Sequence, residues 1–195
     1  IVNTNFYTNG PTYTNAGHTA ISTGVYQEID NSGAEIPANA SIFQHWLFDS
    51  EKASNLAWIV ASKDKLEVLN NCEDIAWKNQ FQPQTDCGNN GLGTGYRKDS
   101  ITYQRAINVL NTYQPELMLV NFREPDSAGH SGIWEDYIQG IKDTDAYIHD
   151  LWNFIQNDPN YRGTTTLFVT NDHGRHLDDV ADGFKSHGDN CLGCR

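Results

Sequence analysis

The sequence has no apolar run near the ~18 consecutive residues that a membrane-spanning helix needs. Positive charge is also scarce, with 13 Lys and Arg against 25 Asp and Glu and a formal net charge of -12. Binding to a nucleic-acid backbone calls for a basic face, whereas Lys63, Lys65, Arg97 and Lys98 are scattered. Nucleic acid is therefore not expected as a partner, and the acidity reads as a well-hydrated surface. No signal peptide is visible. The first residues are Ile1-Val2 rather than Met, and Cys194-Arg195 follow directly on a motif, the pattern expected of an excerpt from a longer protein.

Cysteine is sparse. Cys72 and Cys87 flank a stretch rich in Gly and Asn, and Cys191 and Cys194 form a C-x-x-C. Two disulfides, free buried thiols, and a zinc or redox role all remain open. A Cys72–Cys87 bridge would contribute roughly 3 kcal/mol in the chain-entropy model and would suit a periplasmic or extracellular protein. A four-Cys zinc site fits poorly, because it needs two close pairs.

The apolar content, 38% with 11% aromatic, is enough for a single core. Ser41 is placed to cap a short helix through Phe48, and Leu56–Ala61 reads as a strand buried on both faces. Ser100 caps a second helix to about Thr112, and Leu117–Phe122 is a second buried strand. A long helix spans roughly Ile133 to Ile155, ended by Pro159 and Gly163, and Thr165–Thr170 reads as a third strand. Strands alternating with helices predict an α/β fold, a mostly parallel sheet with helices on both faces. The expected organisation is one domain over 1–195, with a loop-rich insert at about 71–99. That insert contains Gly-Leu-Gly-Thr-Gly but lacks the Gly-Lys-Ser/Thr ending of a P-loop.

Two strands are followed by dense clusters of Asp and His. Asp126 and His130 follow the second strand, Asp172 and His173 follow the third, and His187 lies on a later loop. The carboxyl ends of neighbouring parallel strands face one crevice, so these five residues can converge. Mixed carboxylate and imidazole ligands suit zinc, or manganese or iron. Asp126, His130 and His187 fit one ion, with Gly129 letting the chain bend between the first two, and Asp172 and His173 fit a second. Asp189 is a candidate to steady a ligand. His18, His45, His149 and His176 taken singly read as structural.

Beside these clusters, Pro11-Thr12-Tyr13-Thr14-Asn15-Ala16-Gly17-His18, followed by Thr23-Gly24, stops looking like an ordinary polar loop. Together with Pro125-Asp126-Ser-Ala-Gly129-His130, Asp172-His173-Gly174 and His187-Gly188, it resembles the alkaline phosphatase superfamily, most closely the type I phosphodiesterase and nucleotide pyrophosphatase family. The resemblance implies an alkaline-phosphatase-like core forming a partial metallohydrolase domain. It implies two divalent ions, most simply zinc, held by Asp126, His130 and His187 and by Asp172 and His173. It further implies Thr14 as the nucleophile, a phospho-enzyme intermediate, and a small phosphorylated substrate of the phosphodiester or nucleotide pyrophosphate type. Asn15 is a candidate to donate a hydrogen bond to the substrate. The family's further metal-binding Asp, which precedes the nucleophile segment, has no counterpart in the thirteen residues before Thr14. Phosphomonoesterase, phosphonate hydrolase, sulfatase and phosphomutase chemistry are the alternatives within the superfamily, and a non-catalytic binding module is the alternative outside it.

Overall fold

The computed structural model describes residues 2, 7–189 and 191–195. In chain order its elements are α1 (Thr14–Thr23), α2 (Ile42–Ser50), β1 (Ala57–Ala61), β2 (Gln84–Cys87), α3 (Asp99–Tyr113), β3 (Leu117–Asn121), α4 (Asp126–Ser131) and α5 (Trp134–Asn157), with short 3-10 segments between them. Every residue of β1 is apolar and buried, which places it at the centre of the sheet. It pairs in parallel with β2 on one side and with β3 on the other, with Ile59 opposite both Thr85 and Leu119.

Successive side chains of β1 point to opposite faces. Ala57, Ile59 and Ala61 join Phe43 and Leu47 of α2 and Leu66 and Leu69 of the 3-10 segment Asp64–Asn70. Trp58 and Val60 join Ala106, Val109 and Leu110 of α3 and Leu151 and Ile155 of α5. The fold is therefore α/β, a parallel sheet covered on both faces. Ser41 caps α2 as expected, its hydroxyl accepting from Gln44 N while the Gln44 side chain accepts from Ser41 N.

Three expectations are corrected. Thr165–Thr170 forms no strand among the described residues. Phe168 is 87% exposed and Val169 62%, so the apolar run has neither a ladder partner nor a covering layer. Within the segment expected to be a loop-rich insert, Gln84–Cys87 forms β2, a polar strand at the edge of the sheet. Ser100 does not cap α3, which starts at Asp99 after Lys98 with no side-chain cap. Of the alternatives left open for the cysteines, Cys72 and Cys87 take that of buried free thiols, and Cys87 packs in the core beside Ile59. No described helix is long and apolar enough to cross a membrane.

Candidate metal centre

The carboxyl ends of β1 and β3 open toward the same crevice. The Asp99 carboxylate holds them in register, accepting from Arg123 N (2.8 Å), Glu124 N (3.0 Å) and Ser62 Oγ (2.5 Å). The chain leaving β3 then enters α4, where Asp126 and His130 stand four residues apart on one helical face. A short helix, rather than a bend at Gly129, brings these two together. Gly129 serves a different purpose: a Cβ there would lie 2.5 Å from the Arg175 guanidinium carbon.

His187 completes the group. One ligand atom each from Asp126, His130 and His187 lies within 4.8 Å of the others. His187 Nε2 is 3.3 Å from Asp126 Oδ1 and 3.3 Å from His130 Nε2. Its Nδ1 is 2.9 Å from Thr12 O. A carbonyl only accepts, so the proton sits on Nδ1 and the Nε2 lone pair faces the cluster. Asp126 also takes Arg175 Nη1 on Oδ1 (2.5 Å) and Lys63 Nζ on Oδ2 (2.7 Å). Burial pushes its pKa upward, but the neighbouring His187 and the Lys63 ammonium outweigh this and hold the carboxyl well below the usual range.

Thr14 begins α1 and is 2% exposed. Its Oγ1 accepts from Lys63 Nζ at 3.0 Å, so one ammonium links the hydroxyl to Asp126. The helix reaches the crevice because Gly17 has no side chain where it meets the backbone of Asp172. His18 Nδ1 donates to Thr14 O (2.9 Å) and lies 3.2 Å from Asp172 Oδ2. His18, read singly as structural, thus touches both the candidate nucleophile's backbone and a candidate ligand. Asn15 is placed differently from the substrate-facing position expected of it. It is fully buried, and its Nδ2 donates to Asp30 O at 3.1 Å.

Asp172 and His173 sit beside this group. Burial would raise the Asp172 pKa, but His18, His173 and Lys63 together drive it well below the ordinary carboxylate value. Burial lowers the His173 pKa, against the pull of Asp172. His173 Nδ1 donates to Gly174 O (2.9 Å), and its ring stacks on His187 at 3.8 Å. Asp172 Oδ2 and His173 Nε2 are buried without a hydrogen-bond partner among the described residues. Buried acceptors are costly when unpaired, and a divalent cation is the partner that an unprotonated imidazole and a carboxylate both accept. The donor set therefore fits metal. Asp172 and His173 do not form a group with a third such side chain among the described residues.

Lys63, Lys65 and Arg175 escaped the sequence reading, which counted the two lysines as scattered charge. All three are buried here. Burial, then repulsion from Lys63, pushes the Lys65 pKa down to about 8, and its Nζ donates to Asn31 Oδ1 (2.9 Å). The available signal was position, since Ser62-Lys63-Asp64-Lys65 follows directly on the central strand. A cavity of about 730 Å³ between α5 and residues 165–167 lies apart from this chemistry, lined by Trp152 and His149 among others.

A family model, that of the metalloenzyme superfamily, matches residues 15–182. The chain belongs to the metalloenzyme superfamily. Similar curated proteins are 2,3-bisphosphoglycerate-independent phosphoglycerate mutases. The one from Haloquadratum walsbyi is 25% identical over 146 residues, covering 72% of this chain and 25% of the relative. The one from Mycoplasma pneumoniae is 24% identical over 148 residues, covering 76% of this chain and 26% of the relative. The chain thus spans about a quarter of the length of these relatives. No solved structure matches it. The resemblance read from the sequence holds at the level of this alkaline-phosphatase-like superfamily, which implies bound divalent metal. The relatives found are phosphoglycerate mutases rather than nucleotide pyrophosphatases.

Proposed function

We propose that this metalloenzyme-superfamily chain carries the catalytic centre of a phosphoryl-transfer enzyme, with Thr14 as the nucleophile. One observation carries the reading: the buried Thr14 hydroxyl, at the first turn of α1, is joined through Lys63 Nζ to the Asp126 of the Asp126–His130–His187 group. In this reading Asp126, His130 and His187 hold one divalent ion, and Asp172 and His173 hold a second. Bound there, the ions supply positive charge to phosphoryl oxygens and lower the pKa of a coordinated hydroxyl. Lys63 places a fixed positive charge 3.0 Å from Thr14 Oγ1, where negative charge develops during attack. The N-terminal turn of α1 favours the same charge. Thr14 Oγ1 loses its proton to solvent as it forms the bond to phosphorus, the ester oxygen leaves with its bonding pair and takes up a proton from solvent, and the resulting phosphothreonine is then cleaved.

Cleavage by water makes the enzyme a hydrolase, the reading that the phosphodiesterase-like Pro11–His18 segment favours. A second reading, favoured by the names of the similar proteins, is a phosphomutase in which another hydroxyl of the substrate takes the phosphoryl group. A panel of diester, monoester, phosphonate, sulfate ester and phosphoglycerate substrates, run in oxygen-18 water, separates the two. Label in the released phosphate marks hydrolysis, and an isomerised product without label marks the mutase. In either case Thr14→Ala should lower turnover by roughly 10³-fold or more while metal content is kept. Turnover near wild type in that variant would refute the nucleophile.

A further inference from the structure

A second ligand group lies outside the Asp126 centre. One ligand atom each from His176, Asp189, Cys191 and Cys194 falls within 4.8 Å of all the others. From this convergence, and from the orphaned nitrogen described next, we propose that the four residues form a structural zinc site with two thiolate ligands, one imidazole and one carboxylate.

His176 carries the argument. Its side chain is 7% exposed, and Nδ1 lies 3.2 Å from Asp182 Oδ1. That carboxylate keeps the proton on Nδ1 and leaves the Nε2 lone pair free, the arrangement in which a second carboxylate orients a metal-binding imidazole. Nε2 points into the group and has no hydrogen-bond partner among the described residues. The atom facing it, Asp189 Oδ2 at 3.1 Å, is itself an acceptor. Two acceptors brought together in this way repel each other unless a cation or a proton lies between them. Asp189 Oδ1 is occupied by Cys191 N (3.1 Å), which turns the other oxygen inward. The two sulfurs are 3.0 Å apart and unbridged, and Cys194 is fully buried.

A tetrahedral zinc ion with bonds of about 2.0–2.3 Å holds its ligand atoms roughly 3.3–3.8 Å apart, close to the spacing found here. Sulfur ligands beside an imidazole and a carboxylate favour zinc over magnesium or calcium. Four protein ligands leave no open position, so the site is structural. Its place in the fold agrees. Gly174 N donates to Cys194 O (2.8 Å), His176 N to Ser186 O (3.0 Å) and Thr12 Oγ1 to Asp189 O (2.9 Å). Gly174 and Gly193 meet where neither loop has room for a Cβ. An ion here fastens the loop after His173 to the loop after His187, so it steadies two residues of the candidate centre without touching substrate.

The test loads the reduced full protein with cobalt(II) alone and records its absorption. The expected result is a thiolate-to-cobalt charge-transfer band in the near ultraviolet. It should be lost in Cys191→Ser and retained in His130→Ala. Elemental analysis should find less zinc in Cys191→Ser than in wild type. No band in reduced wild-type protein overturns the proposal, whether or not the variants fold. So does an intact mass two hydrogens light with both thiols resisting alkylation, which would make Cys191–Cys194 a disulfide.

Discussion

At Gly129 a single missing methyl group decides how the Asp126 carboxylate is held. The Arg175 guanidinium occupies that space, donating to Asp126 Oδ1 and to the carbonyls of Phe184 and Lys185. A Cβ would force the planar fork off all three partners, so Gly129→Ala should cost about 1–3 kcal/mol, read as a lower urea midpoint with an unchanged slope. A midpoint within error of wild type would show that Arg175 moves freely and does not lock the 184–187 loop. Lys65 offers a residue-scale test by pH. Burial and the Lys63 charge depress its pKa to about 8, against 10.5 for a free lysine. Between those values the unfolded chain binds more protons at this residue than the folded one, so its contribution to stability rises with pH across the window. Wild type should therefore gain stability over Lys65→Met as pH climbs from about 8 to 10.5. A constant difference would place the titration elsewhere.

Among the elements, β1 and β3 are joined at their functional ends by one side chain from a third. Asp99, in the first turn of α3, accepts from two amides after β3 and from Ser62 after β1. Asp99→Asn replaces a charged acceptor with an amide whose NH2 faces a donor, and should cost about 1–3 kcal/mol. Hydrogen exchange should speed up at Arg123 and Glu124, and unaltered protection there would show that the clamp is idle. The elements also show what the sequence could reveal. β1 was legible because a strand buried by helices must be apolar along its length, and β3, half-buried at the other edge, keeps an apolar run of its own. β2 was not, since an edge strand with exposed and half-buried positions tolerates Gln84, Thr85 and Asp86. Residues 165–170 misled for the converse reason: an apolar run permits a strand, but a paired ladder makes one. In the candidate centre, the positions of Asp126 and His130 followed from a strand end, and His187 was read from a later loop. Lys63 and Arg175 did not, because only the folded crevice distinguishes a buried cation from a solvated one.

Taken whole, the molecule is a net anion of -12 that still gathers Asp126, Asp172 and several imidazoles at one end of its sheet. In the structure Lys63 and Arg175 neutralise Asp126, while Asp172 Oδ2 and His173 Nε2 have no such partner among the described residues. Metal bound to the folded state should therefore stabilise the whole domain by mass action. At 100 times the dissociation constant the gain is about 2.7 kcal/mol, which in a chain of this size raises Tm by roughly 5–10 °C. Zinc or manganese added to chelator-treated protein, followed by calorimetry, measures the shift. The informative variant is His130→Ala rather than Asp126→Asn. Removing Asp126 strands two buried cations and unsettles the apo protein by itself, whereas the His130 side chain is half exposed and its loss spares the core. The expected outcome is an apo Tm close to wild type with a clearly reduced metal-induced rise. An equal rise in both proteins would remove His130 from the ligand set, and no rise in wild type would remove the centre's claim to metal.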